Sequence, residues 1–113
     1  MTKLLVLESA QEDFFEIRNG FRDTHTKQAY ENFKQNFKTL FAEIRKFPQS
    51  GGIVQEAQEV GLEVRQRICE QIRVIYTYDE AEDVIHIRMF LPTARDFLAH
   101  LTKRILRPVN PSR

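Results

Sequence analysis

The chain has 113 residues, with seventeen Lys and Arg against sixteen Asp and Glu, 42% hydrophobic residues and 11% aromatic ones. That length suits one domain with one core, the apolar content excludes a disordered chain, and a formal net charge of +1 excludes a strongly basic nucleic-acid coat. The single Cys69 excludes an internal disulfide, and no apolar run approaches the ~20 residues of a membrane span or follows a charged leader, so a cytoplasmic protein without a membrane partner is expected.

Residues 3–8, KLLVLE, form a short apolar run with the character of a strand, and Ser9-Ala10-Gln11-Glu12 has the pattern of a capping box that would open a helix. Ala10, Phe14, Ile17 and Phe21 recur at helical spacing and mark one apolar face, with Asn19-Gly20 a point of weakening. After a break around Asp23 and Thr24, the spacing of Tyr30, Phe33, Phe37, Leu40, Phe41, Ile44 and Phe47 predicts a helix of about five turns that Pro48 ends. The two helices are expected to pair as a hairpin that lays its Phe side chains on a sheet; an aromatic stripe of this kind is more often core than a cofactor slot. Pro48-Gln49-Ser50-Gly51-Gly52 reads as a turn, since it lacks the Gly-Lys-Ser/Thr ending of a phosphate loop.

Beyond Gly61 the period shortens to two. Leu62, Val64 and Ile68 alternate with Glu63, Arg65 and Arg67; Val74 and Tyr76 alternate with Arg73 and Thr77; Ile85, Ile87 and Met89 alternate with His86, Arg88 and Phe90. Three successive strands imply an antiparallel meander. Asp79-Glu80-Ala81-Glu82-Asp83 is too short, and lacks the spaced oxygens and the Gly, for a calcium loop and reads as a solvated hairpin tip. Residues 94–101 return to helical character through Phe97, Leu98 and Leu101, and the end, with Pro108 and Pro111, reads as a loose basic tail. The expected fold is α+β, in the order β-α-α-β-β-β-α, with a helical hairpin packed on one face of a small, largely antiparallel sheet. One domain over residues 1–104 and a tail over 105–113 account for the chain.

Gly61-Leu62-Glu63-Val64-Arg65, Ile72-Arg73-Val74-Ile75-Tyr76, Val84-Ile85-His86-Ile87-Arg88 and Thr93-Ala94-Arg95-Asp96, taken in this order, resemble the strand signatures and the Ala-Arg-Asp ending of the RelE/ParE toxin superfamily. The resemblance covers residues 4–101. It implies the toxin half of a type II toxin–antitoxin pair, held in check by a cognate antitoxin. Within that superfamily, RelE-like members cut messenger RNA on the ribosome, whereas ParE-like members act on DNA gyrase and lack the RelE catalytic set. Fold alone does not choose between these targets.

If Leu62, Val64, Ile68, Val74, Ile85 and Ile87 face the helices, strand alternation turns Arg65, Arg67, Arg73, His86 and Arg88 onto the opposite face as one basic surface. Such a surface could hold RNA phosphates, an acidic antitoxin segment or a protein target, or it could be a solvated face with its arginines paired to Glu63 and Glu70. RNA cleavage would further need a base for the 2′-hydroxyl and an acid for the leaving group. Glu56 or Glu63 with His86 is the available pair, alongside Arg65, Arg73 and Arg88. No Lys lies between Lys46 and Lys103, and Pro92 stands where many relatives carry a His, departures that favour the ParE-like branch.

For a gyrase-binding toxin the segments expected to touch target or antitoxin are the arginine-bearing sheet, Arg95, and the tail with Arg104 and Arg107. The alternatives are a ribosome-dependent messenger-RNA endonuclease and a degenerate, nontoxic binding module. No spacing implies a metal or cofactor.

Overall fold

The structure, a computed structural model, describes residues 2–58, 61, 63–95 and 99, with Glu56 described by its backbone alone. Strand β1 (Lys3–Val6) leads into α1 (Glu8–Thr24) and α2 (Lys27–Lys46), followed by β2 (Gly52–Ile53), α3 (Gln55–Gln58), β3 (Arg65–Cys69), β4 (Ile72–Asp79) and β5 (Val84–Pro92). The sheet order is β1-β5-β4-β3-β2, antiparallel throughout except that β1 lies parallel to β5 at one edge. The α+β architecture and the order of its main elements agree with the reading of the sequence. The short β2 and α3 are additions to it; of the helix expected over 94–101, Ala94 and Arg95 form a turn and a bend, Ala99 is helical, and the other five residues lie outside the described residues.

The local signals at the helix ends were used differently from their pattern. Helix α1 starts one residue before Ser9, with Leu7 as its N-cap and no side chain capping it, so Ser9 and Glu12 do not form the expected box. It also runs through Asn19-Gly20 to Thr24, where the Thr24 hydroxyl donates to Gly20 O at 2.9 Å. The break falls at His25 and Thr26, and the Thr26 side chain accepts from Ala29 N to open α2. Phe47 closes α2 immediately before Pro48, as the steric demand of a following proline requires.

The main core lies between the helices and one sheet face. Ala10, Phe33, Phe37, Leu40 and Ile44 meet Ile72, Val74, Tyr76, Ile85, Ile87 and Phe90, with Phe14, Ile17 and Phe21 packed against them. Phe14 joins the layers, its ring 5.1 Å from that of Phe37 and 4.9 Å from that of Phe90. Edge-on and tilted pairs of this kind add roughly 0.5–1.5 kcal/mol each beyond the area they bury.

A second, separate cluster sits on the other face. Val54, Ala57 and Val64, from the segment that carries α3, cover Ile75, Met89 and Leu91. Two hairpin turns complete the meander. Glu70 and Gln71 both have positive φ, 55° and 61°, between the paired Cys69 and Ile72, which is the geometry of a type I′ turn. At the acidic tip, Asp83 accepts from the Tyr78 and Thr2 hydroxyls, each at 2.8 Å; the bond from Tyr78, and then that from Thr2, hold its carboxyl below the usual range. The Asp83 carboxylate therefore ties the hairpin to the residue before β1.

Candidate functional site

Strand pairing decides which side chains share a face. Antiparallel partners point the same way, so the register Arg65↔Tyr76, Arg67↔Val74 and Cys69↔Ile72 puts Arg65 and Arg67 on the helix side of the sheet. The expectation that they share the opposite face with Arg73 is therefore corrected: β3 has the inverse phase, with Val64 and Ile68 turned away from the helices. Val64 is buried under the α3 segment, while Ile68 is 58% exposed.

The physical reason is visible in what the two arginines hold. Arg65 donates from Nη1 to Gly51 O at 3.0 Å and Gln49 O at 3.2 Å, and from Nη2 to Glu63 at 3.0 Å. Arg67 reaches Glu43 on α2 at 2.7 Å and the Ser50 hydroxyl at 3.2 Å. Their aliphatic stems cover the margin of the core while their heads bind the loop after α2. Tyr76 completes that anchorage: its fully buried hydroxyl accepts from Gly51 N at 2.9 Å. A Cβ on Gly51 would stand 2.6 Å from that oxygen and 2.8 Å from Gln66 O, so only glycine fits.

A second change of phase occurs in β5. Ile87 pairs with Tyr76 and Met89 with Ile75, leaving Arg88 as the extra residue of a bulge. The bulge resets the alternation, so Phe90 joins the helix-side core and Met89 the opposite cluster, the reverse of their expected faces. Arg73, His86 and Arg88 do occupy the face away from the helices. His86 and Arg88 are close enough for the charge of Arg88 to act on the imidazole. His86 is paired with Thr77, and Arg73 lies four residues along β4 from Thr77, about 13 Å at strand rise. Ile75, Met89 and their cover from α3 fill the space between.

His86 is half-buried, and burial first, then the charge of Arg88, holds its imidazole below the ordinary value, with Asp79 acting weakly the other way. The ring is therefore mostly neutral near pH 7. Beside it the structure adds residues that the sequence reading did not single out: Leu5, paired with His86 and 38% exposed, and Lys3, paired with Val84. Their contribution depends on β1 pairing with β5, a contact between the two ends of the described fold that no local pattern announces.

Among the described side chains, Glu63 and His86 do not converge. Glu63 stands with Arg65, Gln49 and Tyr78 in a polar recess at the helix-side margin, across the sheet from His86. The Glu56 side chain, Arg104 and Arg107 lie outside the described residues, while exposed Arg95 follows β5 and lines a groove beside α1. Burial pushes the Cys69 thiol up, so it offers little thiolate near neutral pH. Among the described residues, no group of three or more His, Cys, Asp or Glu side chains is placed to hold a metal ion, and no helix is long and apolar enough to cross a membrane.

A comparison with protein-family models matches residues 4–97 to the ParE toxin of type II toxin–antitoxin systems. The chain belongs to the ParE toxin family. A ParE toxin is one half of a two-protein system whose other half is a cognate antitoxin. No curated protein matches the chain. The match runs from the second residue of β1 past the end of the meander, so the hairpin of helices and, Lys3 apart, the strand pairs described above are inside it.

Proposed function

We propose that this ParE-family protein arrests bacterial growth by binding DNA gyrase in the cytoplasm and blocking replication, without cutting RNA itself. The supporting observation is the dispersal, among the described residues, of side chains that RNA cleavage would use. Arg65, Arg67 and Glu63 are spent on the helix-side margin, Arg73 is about 13 Å along the strand from the partner of His86, and a general acid–base pair has to stand within hydrogen-bond reach of one phosphodiester. What remains on the open face is a binding surface of Lys3, Leu5, His86, Arg88 and Arg73, flanked by Arg95. Arg104 and Arg107 extend its basic character along the chain. The antitoxin in this reading lays a helix and an extended segment along the hairpin and the sheet.

The test is a supercoiling and cleavage-complex assay on purified DNA gyrase, with and without the cognate antitoxin. Inhibition relieved by antitoxin is the expected result; no inhibition at concentrations well above those of gyrase refutes the reading. A ribosome-dependent messenger-RNA endonuclease is the second reading. One observation favours it: a neutral imidazole beside Arg88 could take a 2′-hydroxyl proton next to a phosphate-binding cation. Transcript cleavage in cells that stops with His86→Ala would select it.

A further inference from the structure

A cleft of about 340 Å³ opens between α1 and α2, lined by Val6 at the end of β1, Phe14 and Phe15 of α1, Phe41 of α2 and Phe90 of β5. The Phe90 ring lies 4.9 Å from that of Phe14 and 6.1 Å from that of Phe41, so the inner wall is continuous with the aromatic core. Phe15 stands at the outer margin, 57% exposed, because one step along α1 turns it about 100° away from Phe14. Gln11 and Arg18 fall at i−4 and i+3 from Phe15, share its helix face and complete the lining.

Arg18 supplies the charge of this lining, and its described surroundings leave that charge uncompensated. Its guanidinium carbon lies 5.4 Å from the centroid of the Phe15 ring, it makes no ion pair with a described residue, and its Nε is buried without a hydrogen-bond partner. A buried donor without an acceptor destabilises the unliganded protein, and an anionic oxygen brought to it relieves that penalty. The neighbouring Gln11 amide does not serve, since it donates to Val6 O at 2.9 Å. Two other recesses have a different balance: Arg65 stands with Glu63, Asp79 and Glu80, and Arg95 shares its groove with Asp13 and Glu16. Of these three, the cleft between the helices alone sets a cation on aromatic walls with no carboxylate in its lining.

We infer that this cleft is a binding site for a small amphiphilic carboxylate, a chain of about eight carbons whose tail lies against Phe14, Phe41 and Phe90 and whose head group accepts from Arg18. Its volume stands near the lower end of the roughly 300–1,000 Å³ of clefts that hold small organic ligands, which suits one short tail. The aromatic walls favour the tail by removing it from water, and the unpaired guanidinium favours a carboxylate over a hydroxyl or an ammonium head. The open sheet face has the opposite balance, with Lys3, His86 and Arg88 around the one exposed Leu5, so the two surfaces select different ligands. This goes beyond the gyrase reading and stands whichever target the toxin has. A ligand in the cleft touches α1, α2 and the end of β1 at once, and so braces the helical hairpin against the sheet.

The test titrates the full nitrogen-labelled chain with octanoate, octanol and octylamine, which share a tail and differ in head group, and follows the amide signals. Octanoate should shift Gln11, Phe15, Arg18, Phe41 and Phe90 saturably and leave Ile68 and Thr77 in place. It should bind about fivefold more tightly than octanol, with octylamine the weakest, and should raise the unfolding temperature as its concentration rises. Arg18→Gln should abolish the preference for octanoate over octanol. Equal binding of octanoate and octanol to the unaltered chain overturns the inference whatever the variant does, as does a preference that Arg18→Gln leaves unchanged in a folded protein. Octanoate shifts centred on Lys3, His86 and Arg88, or shifts that never saturate, also overturn it. Movement of the same cleft signals on dilution without ligand would put a second copy there and overturn it too.

Discussion

The two faces of the sheet are built from the same two central strands but by different means. On one face, two long helices press Phe33, Phe37, Leu40 and Ile44 onto Val74, Tyr76, Ile85 and Ile87, and the aromatic rings link every layer. On the other, a short segment lays Val54, Ala57 and Val64 on Ile75, Met89 and Leu91. The first face is a closed core that carries stability. The second is a patch of core with polar surface on either side, and that surface holds His86, Arg88 and Arg73. A sheet whose second face is only partly covered can keep its fold while offering a basic, half-apolar surface to a partner, because the helical core does not depend on that surface.

That contrast predicts unequal losses. Phe37→Ala should cost about 3–5 kcal/mol, the usual range for removing a buried aromatic ring, and should lower the denaturant midpoint without changing the slope. Met89→Ala, on the partly covered face, should cost about 2–3 kcal/mol and should also speed hydrogen exchange of the α3 segment ahead of the helices. Equal costs with unchanged exchange would mean that both faces unfold as one unit.

Tyr76→Phe leaves the Gly51 N–H without its acceptor and should cost about 1–3 kcal/mol, read as a lower unfolding temperature. Arg67→Ala removes a partly exposed ion pair with Glu43 and should change stability by only about 0–1 kcal/mol, diminishing further in high salt. A loss above that range would mean that the Arg67 stem, more than its charge, seals the core margin.

The smallest effect is the titration of His86, which sharpens the contrast from the open-face side. Burial, then Arg88, lowers its folded pKa from 6.5, so on acidification the unfolded chain binds this proton first. The stability tied to the neutral ring is complete above about pH 6.5 and is lost as pH falls from there through the lower folded value. Nuclear magnetic resonance titration of the imidazole should show a value below 6.5, and Arg88→Gln should raise it. An unchanged value in that variant would place Arg88 too far from His86 for the pair to act on one ligand.

Much of this arrangement can be read along the chain. The helical spacing of Phe33, Phe37, Leu40 and Ile44 needs no partner to be recognised, because a 3.6-residue period puts them on one side whatever lies opposite. The same is true of the three meander strands and of the proline that ends α2, and the ordered strand signatures were enough to point to the toxin superfamily. The candidate site was legible only in part. Arg73, His86 and Arg88 were placed on the right face, while Arg65 and Arg67 were not.

The reason lies in what alternation can and cannot say. A period of two tells that neighbouring residues point apart, but not which of them points toward the helices, and one inserted residue reverses the answer for everything after it. In β3 the two arginines face the helix side because Glu43, Ser50 and the carbonyls of Gln49 and Gly51 wait there, partners that come from α2 and its following loop. In β5 the bulge at Arg88 exchanges Met89 and Phe90 between the faces. The sequence by itself determined the main described elements other than β2 and α3, their order and the family, since these rest on local periodicity and short-range signatures. Which charges meet on the open face was decided only by tertiary pairing, because register, bulge and the cover from α3 are properties of strands in contact and not of any strand alone.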